Sequence, residues 1–294
     1  MTDKTQTFQA TLMHAPILGT LETIEDALVN VAADGKILAV LRPDEPDYEP
    51  ALRKAEDGGT LHSFEPGHYL LPGLVDLHIH APQWPMMGKS LHLPLYEWLE
   101  QHTFPLEARY ADVDFAQEVY SSLVDTLLAN GTTTAVYFGT IHNPANHALA
   151  EICLDRGQRA FVGKVAMDDI EQCPDYYRDL SAAAAINETK ELIEFIRQLP
   201  GNETALVKPI VTPRFIPSCT DELLAGLGAL ARETDCHIQT HCSESDWQHA
   251  FVKQRCGKND ATALRDFGLL TRKTVLAHSN HITDDDCETI KAAG

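Results

Sequence analysis

A chain of 294 residues with 44% hydrophobic and 22% charged residues has the composition of a globular protein with a sizeable core. Its net charge of −20 argues against nucleic acid or an anionic membrane surface as the main partner. The seven cysteines include no Cys-x-x-Cys pair, so neither a disulfide framework nor a Cys-rich zinc site is expected. The polar stretch 1–10 lacks the pattern of a signal peptide, and we expect a cytoplasmic, cytosolic protein.

The first 70 residues are expected to form a small β-region that is separate from the main core. Runs of β-forming residues occupy 27–31 and 36–40, and the turn sequence Asp34-Gly35 lies between them. The acidic stretch 44–59 predicts an exposed loop or a short helix. We therefore assign residues 1–70 to a domain of their own.

From residue 71 onward, strand-like and helix-like segments alternate, which is typical of parallel β/α units. The predicted strands are 74–80, 132–138, 160–165, 205–215, 237–242 and 274–279. The predicted helices are 93–102, 114–129, 144–155, 182–199, 221–234, 245–255, 259–267 and 284–293. The pattern fits a (β/α) barrel or an open, doubly wound sheet over residues 71–294.

The number of units is smaller than a closed eight-stranded barrel requires. Six strand–helix units are present, and two more would need roughly 75 further residues. The last predicted helix ends at Gly294 in a pattern typical of a helix C-terminus that precedes another strand. We therefore expect this sequence to be a fragment or split product of a longer protein.

Two histidines, His78 and His80, end the first strongly apolar strand. Residues two apart on a strand share a face, so both imidazoles project to the same side. Two neutral imidazoles side by side can chelate a divalent metal such as Zn²⁺. The alternative is a structural pair of half-buried histidines that are satisfied by hydrogen bonds.

Two further histidines, His241 and His278, lie near the ends of later predicted strands. In a parallel barrel the carboxyl ends of all strands share one face, where side chains from separate strands converge. This convergence favours a metal site. Glu244 follows three residues after His241, where a carboxylate can shuttle protons between a metal-activated water and a substrate. The alternative for Glu244 is an acid at a helix N-terminus.

Two other stretches suit a flat heterocyclic substrate. Arg214-Phe215 combines a guanidinium fork with an aromatic face, although a structural ion pair at the barrel rim is equally compatible. Gln83-Trp84 offers an amide edge and an aromatic ring, or else a loop packed on the surface. A His-Glu-x-x-His protease motif and the signature of cytidine-type zinc deaminases are both missing from the sequence.

The sequence resembles guanine deaminases of the amidohydrolase superfamily, which are metal-dependent (β/α)₈ barrels. The resemblance extends over nearly the whole chain. Its motifs are the segments 72–80, 78–83, 93–99, 103–107, 130–134, 157–164, 211–215 and 240–244, of which the last reads Thr-His-Cys-Ser-Glu.

The resemblance implies zinc-dependent hydrolytic deamination of guanine to xanthine and ammonia. His78, His80 and His241 correspond to the ligands of one Zn²⁺ per subunit. Glu244 corresponds to the proton-shuttling glutamate, and His278 to a histidine near the hydrolytic water. The residues that hold the purine correspond to Gln83, Arg214 and Phe215, with His80 and His241 also in contact with the substrate. Residues 1–70 would be half of a β-sandwich, and the enzyme would be a homodimer.

The family's remaining metal ligand and general base is an aspartate at the end of the eighth strand, which this sequence does not contain. We therefore expect little or no activity from the isolated chain of 294 residues. Two alternatives stay open. One is an amidohydrolase that deaminates another aminated heterocycle, such as a pterin or a triazine. The other is an inactive fragment or a non-catalytic binding or assembly partner.

Overall fold

The computed structural model describes residues 5–294, which form two compact units. The first unit ends at Gly73, and the second extends over Leu74–Gly294. No helix within residues 5–294 is both long and apolar enough to cross a bilayer.

The first unit is built on a five-stranded mixed sheet. Strands β1 and β2 form a long antiparallel hairpin, β3 extends the sheet beyond β2, and the short strands β4 and β5 pair in parallel with β1. The elements are β1 (Gln6–Ile17), β2 (Thr20–Val31), β3 (Ile37–Leu41), α1 (Tyr48–Asp57), β4 (Leu61–Ser63) and β5 (Tyr69–Leu70). A sandwich with a second chain segment stays a prediction.

The second unit contains a parallel sheet whose hydrogen-bonded order follows the chain, β6-β7-β8-β10-β11-β12, with the two-residue strand β9 also paired to β10. The strands are β6 (Leu74–His80), β7 (Thr132–Phe138), β8 (Arg159–Gly163), β9 (Val165–Ala166), β10 (Val207–Pro213), β11 (His237–Cys242) and β12 (Thr274–His278). Each strand lies beside its successor, as in a (β/α)₈ barrel, and six such units are present. The prediction of a barrel is confirmed, and the doubly wound alternative, in which the strand order reverses, is excluded.

Helices alternate with these strands along the chain. They are α2 (Leu95–Trp98), α3 (Phe104–Glu107), α4 (Val113–Ala129), α5 (Asn143–Asp155), α6 (Ala182–Gln198), α7 (Asp221–Thr234), α8 (Asp246–Cys256), α9 (Asp260–Asp266) and α10 (Asp284–Ala293). In α7 the hydroxyl of Thr220 accepts a hydrogen bond from the Leu223 amide, and Asp235 ends the helix in the left-handed conformation. Its leucines fill the core between α7 and the sheet.

The helical path that follows β6 is longer than predicted. It continues beyond residue 102 through a π turn, Leu99–Thr103, into α3 and a 3₁₀ turn, Ala108–Ala111. Pro105 lies in the first turn of α3, where a missing backbone N–H does no harm. This continuation brings the side chain of Glu107 into the interior beside the ends of the strands.

Candidate metal-binding active site

Four histidines come together at the carboxyl ends of three barrel strands. His78 and His80 belong to β6, His241 to β11 and His278 to β12. The ring centroid of His78 lies 5.0 Å from that of His80, 4.9 Å from that of His241 and 5.0 Å from that of His278. Side chains separated by up to 200 positions thus form one cluster, because the parallel strands end at the same face of the barrel.

The hydrogen bonds of His241 define its tautomer. Its Nδ1 lies 2.6 Å from the carbonyl oxygen of Arg214, which can only accept, so Nδ1 carries the proton. Its Nε2 therefore has a free lone pair and lies 2.9 Å from Nε2 of His80. A backbone carbonyl that orients an imidazole in this way is the usual support of a metal-ligating histidine.

Burial keeps the inner histidines neutral. Burial and the neighbouring His278 lower the pKa of His78 to about 4. Burial, followed by the adjacent His241 or His78, also lowers the pKa values of His80 and His241 well below their ordinary range. A neutral imidazole is the form that binds a metal ion.

The cluster fits a transition metal. One ligand nitrogen each from His78, His241 and His278 can be chosen so that all three lie within 4.8 Å of one another. The Nδ1 atoms of His78 and His80 are buried and have no hydrogen-bond partner among the described residues. Buried nitrogens without partners are costly in a protein interior, and a bound cation would satisfy those that face it.

His278 lies as close to this cluster as the predicted ligands do. The resemblance predicts His78, His80 and His241 as ligands and places His278 near the hydrolytic water. In the structure His278 and Ser279 adopt positive φ angles of 67° and 56°, and the Ser279 amide donates to the carbonyl of Cys242. This strained turn directs the imidazole of His278 toward the other three.

Glu244 lies at the mouth of the cluster. Its Oε1 is 3.4 Å from Nε2 of His278, and its side chain is 23% exposed. Burial raises the pKa of Glu244 against the opposing influence of His278 and Arg214. The amide of Glu244 donates to Gln248, and Ser243 before it has a φ of 45°, so the turn after β11 fixes the carboxylate near the histidines.

The histidines form one wall of a cavity of about 120 Å³, which has room for a small molecule. The other predicted site residues, Gln83, Arg214, Glu244 and Phe215, line the same cavity, so the structure brings all of them together. Leu95, Trp98 and Leu99 also line it and carry no prediction from the sequence. The structure places Trp84 elsewhere: its indole N–H donates to Ser122 and its ring packs on the core around α4.

Glu107 contacts two of the predicted site residues, although the sequence alone predicts no role for it. It is fully buried and lies behind Gln83 and Arg214. Oε1 accepts a hydrogen bond from Nε2 of Gln83 at 2.9 Å, and Oε2 accepts one from Nη1 of Arg214 at 2.6 Å. This carboxylate keeps the pKa of Arg214 above its ordinary value, although burial alone would lower it.

The barrel topology and the strand-end histidines define a (β/α)-barrel protein with a candidate metal centre. The chain belongs to the amidohydrolase family, whose pattern it matches over residues 69–294.

Comparison with individual proteins shows similarity to a narrower group within this family. The chain is 42% identical over 288 residues to a probable guanine deaminase of Schizosaccharomyces pombe, an alignment that covers 96% of this chain and 54% of that protein. It is 38% identical over 291 residues to the guanine deaminase of Homo sapiens, with 98% of this chain and 62% of that protein covered. The crystal structure of C. acetobutylicum guanine deaminase with bound guanine superimposes with a TM-score of 0.89 at 31% identity, and covers 99% of this chain and 66% of that one. The chain thus spans little more than half to about two thirds of the length of these relatives.

Proposed function

We propose that this site belongs to a guanine deaminase, which converts guanine and water to xanthine and ammonia with one Zn²⁺ ion. The observation that carries the proposal is that a cluster of neutral histidines, a carboxylate and the Gln83–Arg214 pair share one small cavity. The guanine deaminases that match along nearly the whole chain support the choice of substrate.

His78, His80 and His241 would hold the metal, which would increase the acidity of the hydrolytic water. His278 lies beside these three, where its imidazole can hold a water molecule by a hydrogen bond. The hydrogen bond from Nδ1 of His241 to the carbonyl of Arg214 holds this imidazole in the orientation that metal binding needs. The histidine ligands favour zinc over magnesium or calcium, which prefer oxygen ligands.

Gln83, Arg214 and Phe215 would hold the purine so that C2 faces the histidines. Glu244 then gives a proton to the ring nitrogen next to C2, and this carbon becomes more electrophilic. The oxygen of water adds to C2 while the ionised Glu244 takes up a proton from that water. Glu244 passes this proton to the amino group, the bond from C2 to the amino group breaks, and ammonia leaves. Glu244 then regains its proton from the hydroxyl group at C2. The hydroxyl group retained at C2 becomes the second carbonyl of xanthine.

The experiment is to incubate the purified, zinc-loaded protein with guanine, a pterin and an aminotriazine, and to measure ammonia, product and ligand affinity in parallel. Production of xanthine and ammonia from guanine at the highest kcat/KM supports the proposal. Faster turnover of another heterocycle would assign a different substrate to the same site. Binding of zinc and guanine without turnover would instead identify a non-catalytic binding protein.

The assembly and location stay predictions that follow from the same resemblance. We infer a homodimer in the cytosol, and the seven cysteines, all of which are free thiols in the structure, agree with a reducing compartment. Light scattering on the eluted protein would measure the mass of the assembly. A monomeric mass at micromolar concentration would contradict the homodimer.

A further inference from the structure

Glu107 is a buried carboxylate that the proposed reaction does not use. Its side chain is 0% exposed, and both of its oxygens accept hydrogen bonds from residues assigned to hold the purine. Nη2 of Arg214 also lies 3.3 Å from Oε1, so the guanidinium fork grips the carboxylate with two nitrogens. Among residues 5–294, this is the ion pair that Arg214 forms.

The segment that carries Glu107 fixes the same two residues by further contacts. The hydroxyl of Tyr110, one turn later, donates to the carbonyl of Pro82 at 2.9 Å and so holds the backbone just before Gln83. The guanidinium carbon of Arg214 lies 5.0 Å from the centroid of the Phe104 ring. The purine-binding wall of the cavity therefore rests on the short helix α3 and the turn that follows it.

The chemistry of a carboxylate decides how the Gln83 amide is oriented. A carboxylate paired with arginine can only accept hydrogen bonds, so the NH₂ end of Gln83 must face Glu107. The carbonyl oxygen of Gln83 is then the other end of the amide, and it has no hydrogen bond among the described residues. Since Gln83 lines the cavity, this wall presents an acceptor from Gln83 next to donors from Arg214.

We propose that Glu107 is a positioning residue that sets the hydrogen-bond polarity of this wall and thereby selects a purine with a lactam edge. Guanine offers N1–H as a donor beside O6 as an acceptor, which complements Gln83 and Arg214. The analogue 2,6-diaminopurine keeps the 2-amino group but offers N1 as an acceptor beside an amino donor. The inference rests on the proposed function, because it assumes that this cavity binds an aminated purine.

The test compares guanine with 2,6-diaminopurine in the zinc-loaded protein and its Glu107→Gln variant, by Kd and by kcat/KM. A glutamine at position 107 can donate as well as accept, so the amide of Gln83 is free to turn over. We expect the preference for guanine over 2,6-diaminopurine to fall about tenfold or more, in both Kd and kcat/KM. The thermal midpoint and zinc content report whether the variant is folded and loaded.

Two further variants separate positioning from general stability. Asp168→Asn is the matched control, since Asp168 is also a buried acid and accepts two hydrogen bonds of 2.7 Å from Thr220, away from the cavity lining. It should leave the preference unchanged. If Glu107 acts through Gln83, then adding Glu107→Gln to a Gln83→Ala protein should change the preference by less than about twofold.

The outcomes distinguish this inference from the proposed function. A wild type that deaminates guanine, with an unchanged preference in Glu107→Gln, overturns the role of Glu107 alone. A wild type that binds guanine selectively without releasing ammonia overturns the proposed reaction, while the ratio of Kd values still decides the role of Glu107. A wild type that binds neither purine overturns both.

If Glu107→Gln does not fold, Glu107→Asp decides the question. Aspartate keeps the charge opposite Arg214 but withdraws the carboxylate by one methylene from Gln83. The preference for guanine should fall in this variant too. A wild-type preference in a folded Glu107→Asp protein would overturn the proposal.

Discussion

Glu244 is the carboxylate best placed to exchange protons with a ligand in the cavity. Its side chain lines the cavity, and its Oε1 lies 3.4 Å from Nε2 of His278. If the zinc-loaded protein turns over guanine, Glu244→Gln should reduce its kcat by about 10² to 10⁴-fold, because the amide cannot transfer a proton, while the bound zinc is retained. Ammonia release and metal content, measured on the same preparation, check this.

The control for this change is Asp246→Asn, two residues further along the chain. The side chain of Asp246 is fully exposed at the start of α8, and its nearest charged partner is His281 at 3.6 Å. It should keep wild-type kcat and zinc content. Equal activity of Glu244→Gln and wild type would remove Glu244 from the mechanism.

At the level of single residues, the sequence predicted the groups whose position follows from local rules. Histidines at strand ends and an acid just after a strand can be located from periodicity alone. Glu107 could not be found in this way, because it lies beyond the predicted helix 93–102 and no periodic pattern shows on which side its carboxylate lies. Its burial depends on Arg214, which is 107 positions away and meets it only in the folded barrel.

At the level of elements, three barrel strands were predicted with the bounds that the structure shows. The predicted strands 74–80, 132–138 and 237–242 coincide with β6, β7 and β11. The predicted strand 160–165 is in fact interrupted at Lys164, which is fully buried and paired with Asp179 at 2.5 Å. No local signal reveals this break, because the partner of the lysine lies in a distant loop.

Gly163, at the end of β8, lies where the neighbouring strand β10 approaches closely. A β-carbon at this position would lie 1.9 Å from Oγ1 of Thr212 and 2.7 Å from the carbonyl oxygen of Ile210. Thr212 also receives a hydrogen bond from Gln239, so it cannot move freely. We expect Gly163→Ala to lower the free energy of unfolding by about 1–3 kcal/mol, as measured by urea denaturation.

Gly226 in α7 provides the matched control. A β-carbon there would lie 2.2 Å from Cδ1 of Ile186, the far end of a flexible side chain that can turn aside. Alanine also gains about 1 kcal/mol over glycine within a helix, which offsets the repacking. The free energy of unfolding of Gly226→Ala should therefore lie within about 1 kcal/mol of the wild-type value. An equal loss of stability in Gly163→Ala and Gly226→Ala would refute the explanation by the close approach of β10 to Gly163.

At the level of the whole molecule, the candidate metal site joins the two ends of the barrel sheet. In the hydrogen-bonded order β6 stands at one end and β11 and β12 at the other, yet His80 of β6 and His241 of β11 have Nε2 atoms 2.9 Å apart. A metal ion bound by both would connect strands that share no backbone hydrogen bonds with each other. Metal binding should therefore stabilise this unit as a whole.

Removal of the metal should lower the thermal stability. A ligand present at 100 times its Kd stabilises the folded state by about 2.7 kcal/mol, so we expect a chelator to lower the Tm by about 5–10 °C. Calorimetry of the zinc-loaded and chelator-treated protein measures the shift. Readdition of zinc should restore the original Tm, since the histidines remain in place.

Histidine variants show which side chains provide this stabilisation. His241→Ala removes a predicted ligand, so its Tm should not respond to the chelator and its zinc content should fall. His278→Ala should keep both the zinc and the response, because His278 is assigned to the water and not to the metal. Loss of zinc from His278→Ala would instead identify His278 as a ligand. That result would agree with the position of its nitrogen, which lies within 4.8 Å of nitrogens of His78 and His241. The hydrolytic water would then have no assigned histidine.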